Sequence, residues 1–197
     1  MMRKVKRRGT MPLLAVMGLV SLLGTAPPAA SQQLSVGHAA HVNRITLLVE
    51  DMNRSLDFYQ RLGLSKVWER ASQDTDVGGV VESSDYPLTA DPKVGRLVIL
   101  KGSSESAGAI GLLSYDKPPL PSARGNLAAL GTGDVVIMID VPDIQLAYSR
   151  LSQIGTRFQR TPFRFTGPDG DGNPITGQRM LAFDPDGHLI DVVQVQK

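Results

Sequence analysis

The sequence predicts an α+β fold made of two tandem βαβββ modules, and three observations predict it. First, the chain repeats itself without a gap. Arg44–Gly63 runs parallel to Val136–Gly155, with Asp51 matching Asp143, Ser55 matching Ala147, Leu62 matching Ile154 and Gly63 matching Gly155. A unit repeated in this way has been duplicated within one chain. Second, each copy opens on alternating apolar residues, Ile45, Leu47 and Val49, then Ile137, Ile139 and Val141, the period of two that marks a strand. Third, each copy then passes an Asp and changes period. Leu56, Tyr59 and Leu62 fall at the three-to-four-residue spacing of one helix face, and Gly63 follows as a left-handed stop. Duplication implies a pseudo-twofold axis, so the space between the copies is the natural place for a site.

The remaining elements follow in order. Residues 1–30 read as a secretory signal peptide. Arg3, Lys4, Lys6, Arg7 and Arg8 precede an apolar run from Met11 to Gly24, and Ala26-Pro27-Pro28-Ala29-Ala30-Ser31 supplies a small-residue exit. That run falls short of the roughly 20 residues that cross a bilayer, so no stable membrane anchor is expected and the mature chain is expected in the periplasm or secreted. Residues 31–41 are a polar lead-in. Module one spans 42–116: a strand over 44–49, a helix capped by Asp51 or Asn53, then strands over 64–70, 96–101 and 109–115. Residues 71–95, rich in Asp, Gly and Ser, read as a long connection. A Pro/Gly-rich linker covers 117–133. Module two, 134–196, repeats the order with a strand over 135–141, a helix over 142–154 and strands over 157–162, 179–183 and 188–195. A Gly/Pro-rich loop fills 163–178, and Asp184-Pro185-Asp186-Gly187 is a turn.

Composition removes several classes of function. There is no cysteine, hence no disulfide, no thiol chemistry and no lipid on an N-terminal Cys. The formal charge of +2 is misleading. Of 21 Lys and Arg, five lie in the leader, which leaves 16 against 19 acidic residues in the mature chain. No basic stripe remains, and nucleic-acid binding is not expected. About 165 mature residues suffice for one packed domain.

Two phrases, "LLVEDMNRSLDFYQRLGL" and "LAFDPDGHLIDVVQV", resemble the vicinal oxygen chelate superfamily of glyoxalases, bleomycin- and fosfomycin-resistance proteins and extradiol dioxygenases. The resemblance covers roughly residues 42–196. It implies that the two modules pair and that their mixed, curled sheets form a cleft binding a small molecule. It also implies where metal-dependent members would place ligands: Arg44 and Val136 on the first strands, Gly111 and Asp191 on the last. Only Asp191 could bind a divalent ion, and one carboxylate does not supply the three or four donors such ions require. No cofactor is therefore expected, with a divalent metal as the alternative. His38 and His41 lie in the lead-in, and His188 is read as a solvated turn residue.

Strand alternation names the cleft-facing set: Arg44, Thr46, Leu48, Gly111, Leu113 and Tyr115 from module one, Val136, Met138, Asp140, Asp191, Val193 and Val195 from module two. An apolar pocket with a few polar groups suits a small organic molecule. Arg44 reads either as an anchor for an anion or as the ion-pair partner of Asp191. Asp191, Tyr115 and the loop residue Glu82 are candidate catalytic groups, with Asp85 and Tyr86 beside Glu82, while Trp68 reads as core. The expected function is thus an exported binder of a small, anionic organic molecule, with or without lyase or isomerase activity. The alternatives are a metal-dependent glyoxalase or dioxygenase and a non-catalytic sequestering or interaction module. The linker is long enough for a homodimer that exchanges modules.

Overall fold

Each module forms its own four-stranded mixed sheet. The computed structural model describes residues 41–72, 86–92, 94–104, 107–122, 129–168 and 171–196, all within a compact unit that begins at His41. In module one β1 (Arg44–Leu48) leads through helix α1 (Met52–Arg61) to β2 (Ser65–Ala71), β3 (Val94–Lys101) and β4 (Ala109–Asp116). In module two β5 (Val136–Asp140), α2 (Ile144–Ser152), β6 (Phe158–Pro168), β7 (Pro174–Phe183) and β8 (Leu189–Val195) repeat the order. The sheets run β1-β4-β3-β2 and β5-β8-β7-β6. In both, the first strand pairs parallel with the last and the other pairs are antiparallel.

Local chemistry explains the helix boundaries. Asp51 sits in extended backbone and accepts the N–H groups of Asn53 and Arg54, and Asp143 accepts that of Leu146. These are donors that the first helical turn leaves without partners. Gly63 and Gly155 follow the helices at φ values of 96° and 69°, a conformation that costs glycine almost nothing.

One apolar core fuses the modules. Leu47, Val49, Val98, Leu100, Ile110 and Leu112 from the first sheet join Ile137, Ile139, Met180, Ala182, Ile190 and Val192 from the second. The helices contribute Met52, Phe58, Tyr59, Ile144, Ala147 and Leu151. Among the described residues no helix packs on the opposite face of either sheet. On module one that face holds a smaller cluster, Leu97, Leu113 and Tyr115, covered in part by Leu88 and Leu120. Two differences from the sequence reading stand out. Residues 163–168 and 174–178 are strand, not loop, because their backbone groups pair from Phe163↔Arg179 to Pro168↔Pro174. Trp68 is not core: it is 47% exposed on β2, an edge strand exposed along its whole length.

Candidate functional site

The two helix-free sheet faces carry the residues predicted to line a site. In module one Arg44, Thr46 and Leu48 stand on β1 beside β4, while the alternate residues Leu47 and Val49 enter the core. Thr46 is directly opposite Gly111. A Cβ at Gly111 would meet Thr46 Oγ1 at 2.9 Å and the Arg44 Cδ and Nε at 3.0 and 3.3 Å. The Arg44 side chain therefore lies across the strand at the position where a chelating carboxylate would stand, and the missing Cβ makes room for it. A cavity of about 350 Å³ opens next to this corner, lined by Thr46, Leu48, Tyr86, Pro87 and Leu88. Leu113 and Tyr115 lie beneath, buried in the small cluster.

Module two has the same register and different chemistry. Met138 is opposite Asp191, as Thr46 is opposite Gly111. Leu181 and Arg179 pair with Asp191 and Val193, as Ile99 and Leu97 pair with Gly111 and Leu113. Arg179 thus takes the place of Leu97. Its Nε and Nη2 donate to both oxygens of Asp191 at 2.6 Å, and these hydrogen bonds raise the guanidinium pKa. Asp191 is 2% exposed. The sequence reading offered Arg44 as its ion-pair partner. The structure gives that role to Arg179, which lies two residues from the directly opposed position on the same face, within reach of a diagonal pair. Val136, Met138 and Asp140 are exposed and Val193 is buried. Asp191 is therefore a salt-bridged carboxylate with both oxygens engaged, and Tyr115 is a packed aromatic. Glu82, Asp85 and His38 lie outside the described residues, and His41 is exposed at the start of the described chain.

Sequence reasoning missed part of this face. Arg160, Phe163 and Phe165 on β6 lie directly opposite Leu181, Arg179 and Gly177 and so share the face of Asp191. The guanidinium carbon of Arg160 is 3.6 Å from the centre of the Phe163 ring. The Phe165 ring passes 2.9 Å from where a Gly177 Cβ would be. The alternation Phe163, Phe165 was visible, but the flanking Pro162, Gly167 and Pro168 suggested a loop.

A separate network joins the modules. Asp186 in the β7–β8 turn accepts the Glu50 N–H at 2.8 Å and the Ser55 hydroxyl at 3.1 Å. Asp184, buried, accepts the Tyr59 hydroxyl at 2.9 Å and lies 3.1 Å from His188 Nδ1. His188 is accordingly partly buried and partnered, where the sequence suggested a solvated residue. Burial raises the Asp186 pKa, with the Asp184 charge adding and the bonds from Glu50 and Ser55 opposing. Burial, then Asp184, raises that of Tyr59. A cavity of about 430 Å³ at this seam is lined by Arg54, Phe58, Thr156, Arg157 and the Asp184–Gly187 turn.

The repeated modules, their parallel first and last strands and the helix-free faces define a protein class. Residues 41–192 match the Glyoxalase/Bleomycin resistance protein/Dioxygenase superfamily, and the chain belongs to that family. Among solved structures it is similar to a glyoxalase family protein from Bacillus cereus (15% identity, 83% of this chain and 99% of that one, TM-score 0.61). It is also similar to a V278E mutant of glyoxalase I from Zea mays (20% identity, 77% of this chain and 43% of that one, TM-score 0.50). At these identities the likeness shows the fold. A search among curated proteins finds no match.

Family members often use a divalent metal, so the donor set has to be compared with one. The four corners are Arg44, Gly111, Val136 and Asp191. The first puts a cation where a ligand would be, the next two have no donor side chain, and the last is bound by Arg179. Among the described residues no three His, Cys, Asp or Glu side chains converge. These residues do not fit a transition-metal site.

Proposed function

We propose that this chain is an exported, glyoxalase-like protein that binds a small organic anion on its helix-free sheet faces without a transition metal. The observation that carries the reading is the state of the four corners, above all Arg44 laid over Gly111 and Asp191 held by Arg179. A guanidinium beside a largely apolar cavity favours a ligand with an apolar body and a carboxylate or similar anion. The leader would direct the chain to the periplasm or the medium. Sequestration is favoured over lyase or isomerase chemistry, because both oxygens of Asp191 are held by the Arg179 guanidinium and Tyr115 is packed among Leu97 and Leu113. A homodimer is compatible with the exposed edge strands.

Elemental analysis of the mature protein, purified without chelators, tests the first half of this reading. Well under one equivalent of Zn, Mn, Fe or Ni per chain is expected, and near-stoichiometric metal that Asp191→Ala removes would overturn it. Thermal shift tests the second half, since a ligand at a hundred times its Kd stabilises by about 2.7 kcal/mol. Small organic acids are expected to raise the Tm, less so in Arg44→Ala. No shift across a broad set of acids would leave the interaction-module alternative.

A further inference from the structure

We propose that the helix-free face of module two is the recognition surface for a planar aromatic anion, with Arg160, Phe163 and Phe165 as its specificity-determining residues. This rests on the metal-free binding reading above and names the ligand class. Strand β6 crosses β7 with two irregularities in register, between Phe158 and Arg160 and between Arg160 and Phe163. They bring Arg160 and Phe163, three apart in sequence, onto one face, where the guanidinium stacks on the ring. A stacked guanidinium keeps its in-plane N–H groups for hydrogen bonds. Among the described residues no carboxylate pairs with Arg160. β6 and β7 themselves contain no Asp or Glu, and the nearby Asp191 is consumed by Arg179. The β6 side of the face therefore carries a cation without a paired carboxylate on an aromatic base, while the face's exposed Asp140 stands on β5, at the far edge of the sheet. Phe165, beside Gly177, and Leu181 extend the apolar surface. A flat ring can stack on such a surface while its carboxylate meets the guanidinium edge, and charge complementarity selects an anion over a neutral ring.

The outer strand of module one carries a related pair. Trp68 and Arg70 are opposite Ile99 and Leu97, as Arg160 and Phe163 are opposite Leu181 and Arg179. Trp68 is the one tryptophan of the chain, and its emission reports on module one alone.

The test is calorimetric titration of the mature protein with 2-naphthoate and with its neutral isostere 2-naphthamide, while Trp68 emission is followed in parallel. Saturable binding of the acid is expected, at least roughly tenfold tighter than the amide, because a charged acceptor strengthens the guanidinium hydrogen bond. Arg160→Ala and Phe163→Leu are each expected to weaken the acid by a similar factor, with Arg160→Lys between wild type and alanine. Acid binding unchanged in both Arg160→Ala and Phe163→Leu overturns the assignment, as does equal affinity for acid and amide. Quenching of Trp68 that survives Arg160→Ala moves the ligand to module one and also overturns it. If wild type binds neither compound, nor any acid in the thermal-shift series, the failure belongs to the binding reading itself.

Discussion

At the residue scale the duplicated register places unlike side chains at equivalent positions. Gly111 and Leu97 in one module become Asp191 and Arg179 in the other, so a small apolar corner has a charged counterpart. The two members of that pair are unequally buried, at 38% for the Arg179 side chain and 2% for that of Asp191. Arg179→Ala leaves a carboxylate buried without a counterion and is expected to cost about 3 kcal/mol in denaturant unfolding. Asp191→Ala is expected to cost less, because a half-exposed guanidinium can turn to water. Asp186 supplies a pH prediction. Its pKa is raised above the ordinary 3.8 in the folded protein, so the folded state holds this proton more tightly than the unfolded chain. That favours folding at low pH, and the gain is lost as the pH rises through the raised value. Relative to Asp186→Asn, wild type is therefore expected to lose stability between pH 3.8 and neutrality. A stability difference that does not change over this window would contradict the raised pKa.

At the scale of elements, the Ser-x-x-Phe-Tyr segment of α1 and the Asp-Pro-Asp-Gly turn of module two form one structural device. Ser55 and Tyr59 donate to Asp186 and Asp184 across the module boundary, whereas the repeat puts Ala147 and Leu151 at the corresponding positions of α2. The duplication has diverged, and among the described residues the polar clamp is found on one side only. Tyr59→Phe removes a buried donor to Asp184 and is expected to cost about 1–2 kcal/mol by chemical denaturation. β7 supplies a sharper case. A Cβ at Gly177 would collide with the backbone carbonyl of Gln194, and backbone cannot yield as a flexible side chain can. Gly177→Ala is expected to open the β7–β8 ladder beside Val195 and to destabilise by more than about 2 kcal/mol, visible as faster amide exchange at the end of β8.

At the scale of the whole molecule, a single core drawn from both sheets and both helices is expected to unfold in one transition. Tyr59→Phe should shift that transition without splitting it, which coincident fluorescence and circular dichroism melts would check. The repeat, the two βαβββ modules, the capping aspartates and the glycine stops were all legible in the chain, because each depends on neighbours a few residues away. So was the chemistry of the four corners, since it is a matter of residue type. The partner of Asp191, the position of Trp68 on an exposed edge, the partnered state of His188 and the Arg160–Phe163 platform were not. The Asp191 partner, the edge position of Trp68 and the Arg160–Phe163 platform depend on strand order and register, and a shift of one residue between neighbouring strands changes which side chains meet. His188 instead meets Asp184 four residues back, in a turn whose burial was not legible in the chain. The sequence by itself determined the repeating unit and its local turns. Only the tertiary structure decided which of the charged residues neutralise one another and which face outward uncompensated.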